Sequence, residues 1–307
     1  MHTPSCPRCG YDVSGVIGTW TDRCPLRGIC SECGFDFQWV DVLRPELLRL
    51  GGFAEHAGSP GQAIRWGVRT WLWALRPWVF WRRVELRHAP RVPAMGLWLA
   101  LSFAPGLALT WLVGVLLWMT YASPGQRADP AALLSPWLEL VTPWLDRRWL
   151  WWNRWGKPFW HAVTLPLLMC SCFWPLLLWV LGTTRARARV RIEHVVRAGV
   201  FGLSWLVPVL LVRVADYLFG LATLTADLLL PGSGMTPRRG SVSDWMAPYW
   251  RVWLLLGFVW IQAWWLCAIR YGFGLPRSWV VWSVLSIPVT LALLLTVILV
   301  HLQLLWA

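Results

Sequence analysis

The segment SWVVWSVLSIPVTLALLLTVILVHLQLLWA, residues 278–307, runs for 30 residues without a charge if His301 is neutral. A helix needs about 20 such residues to cross roughly 30 Å of hydrocarbon. Three further runs meet the same test. Ala94–Tyr121 lies inside a stretch of 35 uncharged residues, Pro158–Thr184 is 27 long, and Val252–Ile269 is 18 long. A fifth segment, about Ala198–Asp227, is apolar but contains Arg213, Asp216 and Asp227. Lipid leaves only helices and closed barrels able to satisfy their own backbone, and no 10-residue alternation marks a barrel. The expected fold is therefore an all-α polytopic membrane protein with about five transmembrane helices, at approximately 94–121, 158–184, 198–227, 252–270 and 278–304.

Composition supports this. Of 307 residues, 57% are hydrophobic and 14% charged, and the mean hydropathy is +0.50. A soluble domain of this size needs more charge on its surface, and a disordered chain has far less apolar surface. There are 29 Trp, a residue that gathers at membrane interfaces. Net charge is +13, and Lys157 is the only Lys. With the N-terminus inside, the inner connections hold 19 Lys and Arg and the outer ones 8. The rule that inner loops are the basic ones then places the N-terminus and the Arg-rich connection 185–197 in the cytoplasm and the C-terminus outside. Residues 136–160, rich in Trp and Arg, are too charged to span and read as a helix lying in the interface.

Residues 1–40 differ from everything after them. No apolar run follows Met1, so no signal peptide is expected. Five of the eight Cys lie here. Four form Cys6-Pro7-Arg8-Cys9-Gly10 and Cys30-Ser31-Glu32-Cys33-Gly34, with 20 residues between Cys9 and Cys30. Two residues between thiolates let a tight turn aim both sulfurs at one ion, and the Gly that follows accepts the positive φ of that turn. Two such knuckles supply four tetrahedral ligands, and a module of about 40 residues has little else to hold it together. An S4 set suits zinc, and also iron. Cys24, the fifth thiol, is expected to pack beneath the module rather than to ligate.

This segment resembles a double-knuckle, rubredoxin-like zinc ribbon, of the kind that precedes hydrophobic segments in many bacterial membrane proteins. The resemblance covers about residues 4–40. It implies a structural Zn2+ on Cys6, Cys9, Cys30 and Cys33, no reaction, and a bacterial inner-membrane location. The helical part resembles the five-helix Yip1-type membrane domain only in helix number and the side of its N-terminus. The expected organisation is a ribbon at 1–40, basic Trp-rich juxtamembrane helices at 41–93 with a Gly/Ser/Pro hinge at Gly51–Gly61, and a membrane domain at 94–307.

No catalytic residue is expected. The sequence has no Walker motif, HExxH or dinucleotide fingerprint, and Gly202-Leu203-Ser204-Trp205 lacks the Gly that follows the Ser of intramembrane serine proteases. Cys170 and Cys172, with His161 earlier in the same span, stand at a spacing that points the two thiols to different helical faces. His301 reads as structural. Arg213 and Asp216 share a helical face and are the residues a solute or ion transporter would use. The Arg-rich stretch 65–91 is expected to meet the bilayer's anionic headgroups. Nucleic acid is the less favoured partner, because residues 1–40 hold three Arg against four acids. The function expected is docking or scaffolding at the membrane, with a protein partner at the ribbon. A transporter and a membrane-tethered, nucleic-acid or ribosome-facing adaptor are the alternatives.

Overall fold

A computed structural model of the chain describes residues 3–121, 158–180, 189–229, 249–275 and 277–306. Among them the fold is helical, with five helical segments long and apolar enough to cross a membrane. The chain divides into two units.

The first unit comprises Met1–Leu99, Cys170–Ser204 and Val259–Leu291. It begins with the cysteine-rich module. A short helix α1 (Ser14–Ile17) is started by Asp12, whose carboxylate accepts from the Ser14 N–H at 2.9 Å. Strands β1 (Arg27–Ile29) and β2 (Asp36–Gln38) pair antiparallel, with Gly28 opposite Phe37. Helix α2 (Trp39–Leu43) follows. Trp39 closes the small core edge-on against Trp20 and Phe37, with ring centroids 4.6 and 5.1 Å apart. A side chain at position 28 would meet the Trp39 indole at 2.9 Å, which is why Gly28 stands there.

Helix α3 (Pro60–Ala74) starts at Ser59, whose hydroxyl accepts from the Gln62 N–H at 3.3 Å, with Pro60 preset at the first helical position. Pro77 opens helix α4 (Pro77–Arg83). The long helix α5 (Val92–Tyr121) enters this unit with its first turns. Helix α6 (Pro158–Val180) contributes its second half, and α7 (Ile192–Gly202) belongs here whole. Helix α9 (Trp250–Cys267), which ends in a wide turn at Ala268–Gly272, and α10 (Ser278–Trp306) supply the rest.

The core of this unit is aromatic. Phe80 lies 5.2 Å from Phe201 and 5.0 Å from Trp264, and Trp98 lies 4.7 Å from Phe201. Indole N–H groups tie helices together through backbone carbonyls: Trp71 to Ser204, Trp260 to Leu75 and Trp264 to Ala198, each at 3.0 Å. A side chain at Gly202 or Gly272 would run into Trp264 or Trp81. Within residues 51–61, expected as a hinge, Phe53, Ala54, Glu55 and His56 are buried in this core around a single 3-10 turn, while Gly51 and Gly58–Gly61 are exposed.

The second unit comprises Ala100–Met169, Trp205–Phe258 and Ala292–Ala307. It includes helix α8 (Leu206–Leu229). Gly106 of α5 sits against Leu210 of α8, and Gly257 of α9 against Leu167 of α6. Small residues at such crossings let membrane helices approach closely.

The third hydrophobic segment, expected as one helix near 198–227, starts at Ile192 and is interrupted by a 3-10 turn at Leu203–Trp205 before α8. Pro208 falls in the first turn of α8, where its missing N–H leaves no bond unmade. Residues 136–157 of the expected interfacial helix lie outside the described residues, and Pro158–Trp160 begin α6.

Candidate metal centre

Each knuckle is a tight loop closed by the same pair of backbone bonds. The Cys6 N–H donates to the Tyr11 carbonyl at 2.8 Å and the Gly10 N–H to the Cys6 carbonyl at 2.9 Å. In the second knuckle, Cys30 N–H donates to Phe35 at 3.0 Å and Gly34 N–H to Cys30 at 2.8 Å. Gly10 and Gly34 have φ of 78° and 66°, the left-handed region that the sequence reading required of them. The second knuckle is also the turn between β1 and β2, so strand pairing sets its position.

The two loops bring Cys6, Cys9, Cys30 and Cys33 together, with all four sulfurs within 4.8 Å of one another. Cys6 and Cys33 are 3.6 Å apart, and Cys9 and Cys30 are 3.7 Å apart. A metal–sulfur bond of about 2.3 Å would place tetrahedral ligands about 3.8 Å apart. The donor set therefore fits one thiophilic ion. Burial pushes the Cys6 thiol far above its ordinary range and Cys33 up to about 11. At Cys30 burial acts the same way, but the N–H groups of Cys33 and Glu32 and the Cys33 and Cys9 thiols outweigh it. Buried thiols with raised pKa values lose their protons readily only to a cation. Cys24 stands apart. It is exposed, not packed beneath the module, and its thiol reaches only the Pro25 carbonyl at 3.4 Å. Among the described residues no other group of three or more His, Cys, Asp or Glu comes so close together.

The first knuckle is bonded to the start of α7. Arg191 N–H donates to the Arg8 carbonyl at 2.9 Å, and His194 Nε2–H donates to the Pro7 carbonyl at 2.9 Å. Arg189 reaches Glu32 of the second knuckle at 3.6 Å.

One turn further along α7 is a cluster that the sequence reading did not single out. Arg197 and Glu55 are 1% and 0% exposed. The guanidinium donates to Glu55 through Nη2 at 2.6 Å and Nε at 2.9 Å, and through Nη1 to the His88 carbonyl at 3.0 Å. Glu55 also accepts from the Arg91 N–H at 2.7 Å, just before α5. His56 and His88 are buried beside the pair. Nδ1 of His56 accepts from the Leu50 N–H and Nδ1 of His88 from the Glu85 N–H. Burial foremost, and then the Arg197 charge, hold both imidazoles below their ordinary range, His56 at about 3. Both are neutral at physiological pH. No motif marks this cluster in sequence, since Glu55 and Arg197 are 142 residues apart.

The other sequence candidates fall as follows. Cys170 is buried, its thiol facing the Val289 carbonyl at 3.8 Å, while Cys172 is exposed, so the two do not converge. Arg213 and Asp216 both lie on α8 and His301 on α10, and their side chains are outside the described residues, as is that of His161 on α6. Comparison with protein-family models, with curated proteins and with solved structures finds no match to this chain.

Proposed function

We propose that this is a multi-pass protein of the bacterial inner membrane whose cytoplasmic zinc ribbon is a docking platform fixed to the membrane body. Zinc is the ion proposed, on Cys6, Cys9, Cys30 and Cys33, because closed four-thiolate sites of this size are structural and a ribbon this small depends on its metal. The observation that carries the docking reading is the bonding of Pro7 and Arg8 to His194 and Arg191. A ribbon held at this knuckle is presented in one orientation rather than swung on a tether. Leu26 and Ile29, on the β1 side of the hairpin, remain exposed. They are the residues a protein partner would cover.

The test is photocrosslinking in cells from positions 26 and 29 of the full chain. A discrete adduct that disappears with Cys9→Ser, while the protein still accumulates in the membrane, supports the platform. An adduct that persists after metal loss, or none from either position, removes it. A zinc count of zero in the purified protein removes the metal.

A further inference from the structure

We infer that α3 lies in the headgroup layer of the leaflet on the ribbon's side, with Ile64, Val68 and Leu72 in lipid and Arg65, Arg69 and Arg76 on anionic phosphates. This rests on the membrane reading above and deepens its lipid contact from a basic stretch to a defined helix face.

The helix is sorted around its axis into three sectors. One is inward: Ala63, Thr70, Trp73 and Ala74 are buried. Next to it, a side chain at Gly67 would meet the Trp98 ring, at the start of α5, at 3.8 Å, and the Trp71 indole bonds the Ser204 carbonyl between α7 and α8. These contacts pin α3 to segments that enter the membrane. The third sector is open, and it is itself divided. Ile64, Val68 and Leu72 are 60%, 62% and 52% exposed. Residues four apart advance only about 40° around a helix, so these three make one continuous apolar row. Arg65 and Arg69 follow at larger angles and are also exposed, as is Arg76 in the joint between α3 and α4. Across Pro60–Arg83 there are five Arg and no Asp or Glu.

Three exposed branched aliphatics in a row are costly in water. Each buries apolar area worth about 25 cal/mol per Å2 when lipid covers it. Leu97, in the first turns of α5 and within a candidate membrane span, is exposed as well. Trp78 of α4 is also open, with Arg82 one turn later on the same side. An amphipathic helix with cations beside its apolar row is the form that lies in an interface. Each Arg near an anionic leaflet adds about 1 kcal/mol of attraction. The occupant of this face is thus a phospholipid surface carrying negative headgroups.

The experiment uses the full chain in nanodiscs of phosphatidylcholine with or without phosphatidylglycerol. A small fluorescent amino acid is placed at position 68 or, as a control, at position 291. Leu291 is 60% exposed on α10, within a candidate span. Quenching is compared between lipids spin-labelled near the headgroup or along the acyl chain and aqueous iodide. The expected result is lipid quenching at both positions. Replacing Arg65, Arg69 and Arg76 together by Gln should lower the phosphatidylglycerol retained per protein, relative to phosphatidylcholine, by at least about fivefold. Lipid quenching at 291 with iodide quenching at 68 overturns the inference and leaves the membrane reading intact. So does protection of position 68 from both quenchers, which would place protein over the row. Iodide quenching at 291 overturns the membrane reading itself.

Discussion

Arg197→Met tests the buried pair. The substitution keeps an unbranched apolar stem and removes three bonds: two to Glu55, at 2.6 and 2.9 Å, and one to the His88 carbonyl at 3.0 Å. Glu55 is left with the Arg91 N–H at 2.7 Å and no access to water. Stranding one member of a buried ion pair costs about 3–5 kcal/mol, far more than losing an exposed pair at about 0–1 kcal/mol. At about 2–4 °C per kcal/mol for a body of this size, the unfolding midpoint should fall by roughly 6–20 °C. The double variant Glu55→Gln with Arg197→Met should recover much of that loss, because no charge is then buried alone. Midpoints measured in mild detergent by fluorescence-detected gel filtration, on both single variants and the double, close a mutant cycle. The two sites should be coupled by at least about 2 kcal/mol. If the double variant loses the sum of the two single losses, the carboxylate and guanidinium do not share a dry environment, and the cluster is misread.

The remaining expectations concern metal, pH and side. Metal analysis of the purified chain should give one zinc per molecule, lost in Cys9→Ser and Cys33→Ser and retained in Cys24→Ser, whose thiol lies outside the four-sulfur group. His56 is held at about 3 against an ordinary 6.5, mainly by burial. The unfolded chain therefore binds a proton that the folded chain excludes. This costs nothing above pH about 6.5, and stability is lost as pH falls from there toward 3, by up to about 1.4 kcal/mol per unit. His56→Asn should flatten that slope; an unchanged acid profile would show that His56 is not buried neutral. A periplasmic reporter fused at Ala307 should be active, and one inserted between Arg185 and Arg189 inactive, with the reverse pattern overturning the proposed orientation.

The absence of charge was enough to find the apolar segments, because the cost of an ion in hydrocarbon is a property of composition. It could not show that the third of them breaks at Leu203–Trp205, since apolarity carries no information about helix continuity. The break sits where Gly202 gives way to the Trp264 indole, a contact 62 positions away in the chain. The four-cysteine group was legible for the opposite reason: Cys-x-x-Cys-Gly is local chemistry that needs no partner to be read. Glu55 and His56 were hidden by their setting. Gly51, Gly52, Gly58, Ser59 and Pro60 signal a flexible linker, yet the residues between them fold inward. Tryptophan has a second use that composition does not show. Its abundance points to an interfacial belt, and beside that Trp98, Trp174, Trp264 and Trp265 are fully buried. Several indole N–H groups satisfy backbone carbonyls between helices, a use that composition cannot separate from anchoring.

Arg197 also changes what the charge count means. Its connection, 185–197, carries five Arg in 13 residues, which made it the densest topological signal in the chain. In the fold these cations have separate duties. Arg189 pairs with Glu32 of the ribbon, the Arg191 guanidinium pairs with Glu193 while its backbone N–H holds Arg8, and Arg197 is sealed against Glu55. His194 and Arg197 are three residues apart and so share one side of α7. One helix thus holds the metal knuckle through His194 and the start of α5 through Glu55 and Arg91. The two attachments differ in kind. The first consists of bonds to the Pro7 and Arg8 carbonyls, which keep their geometry only while the knuckle is closed. The second is a buried ion pair that does not involve the ribbon at all. Loss of the ion should therefore release the ribbon from α7 and leave α7 seated on Glu55, so that the helices stay inserted while the platform is lost.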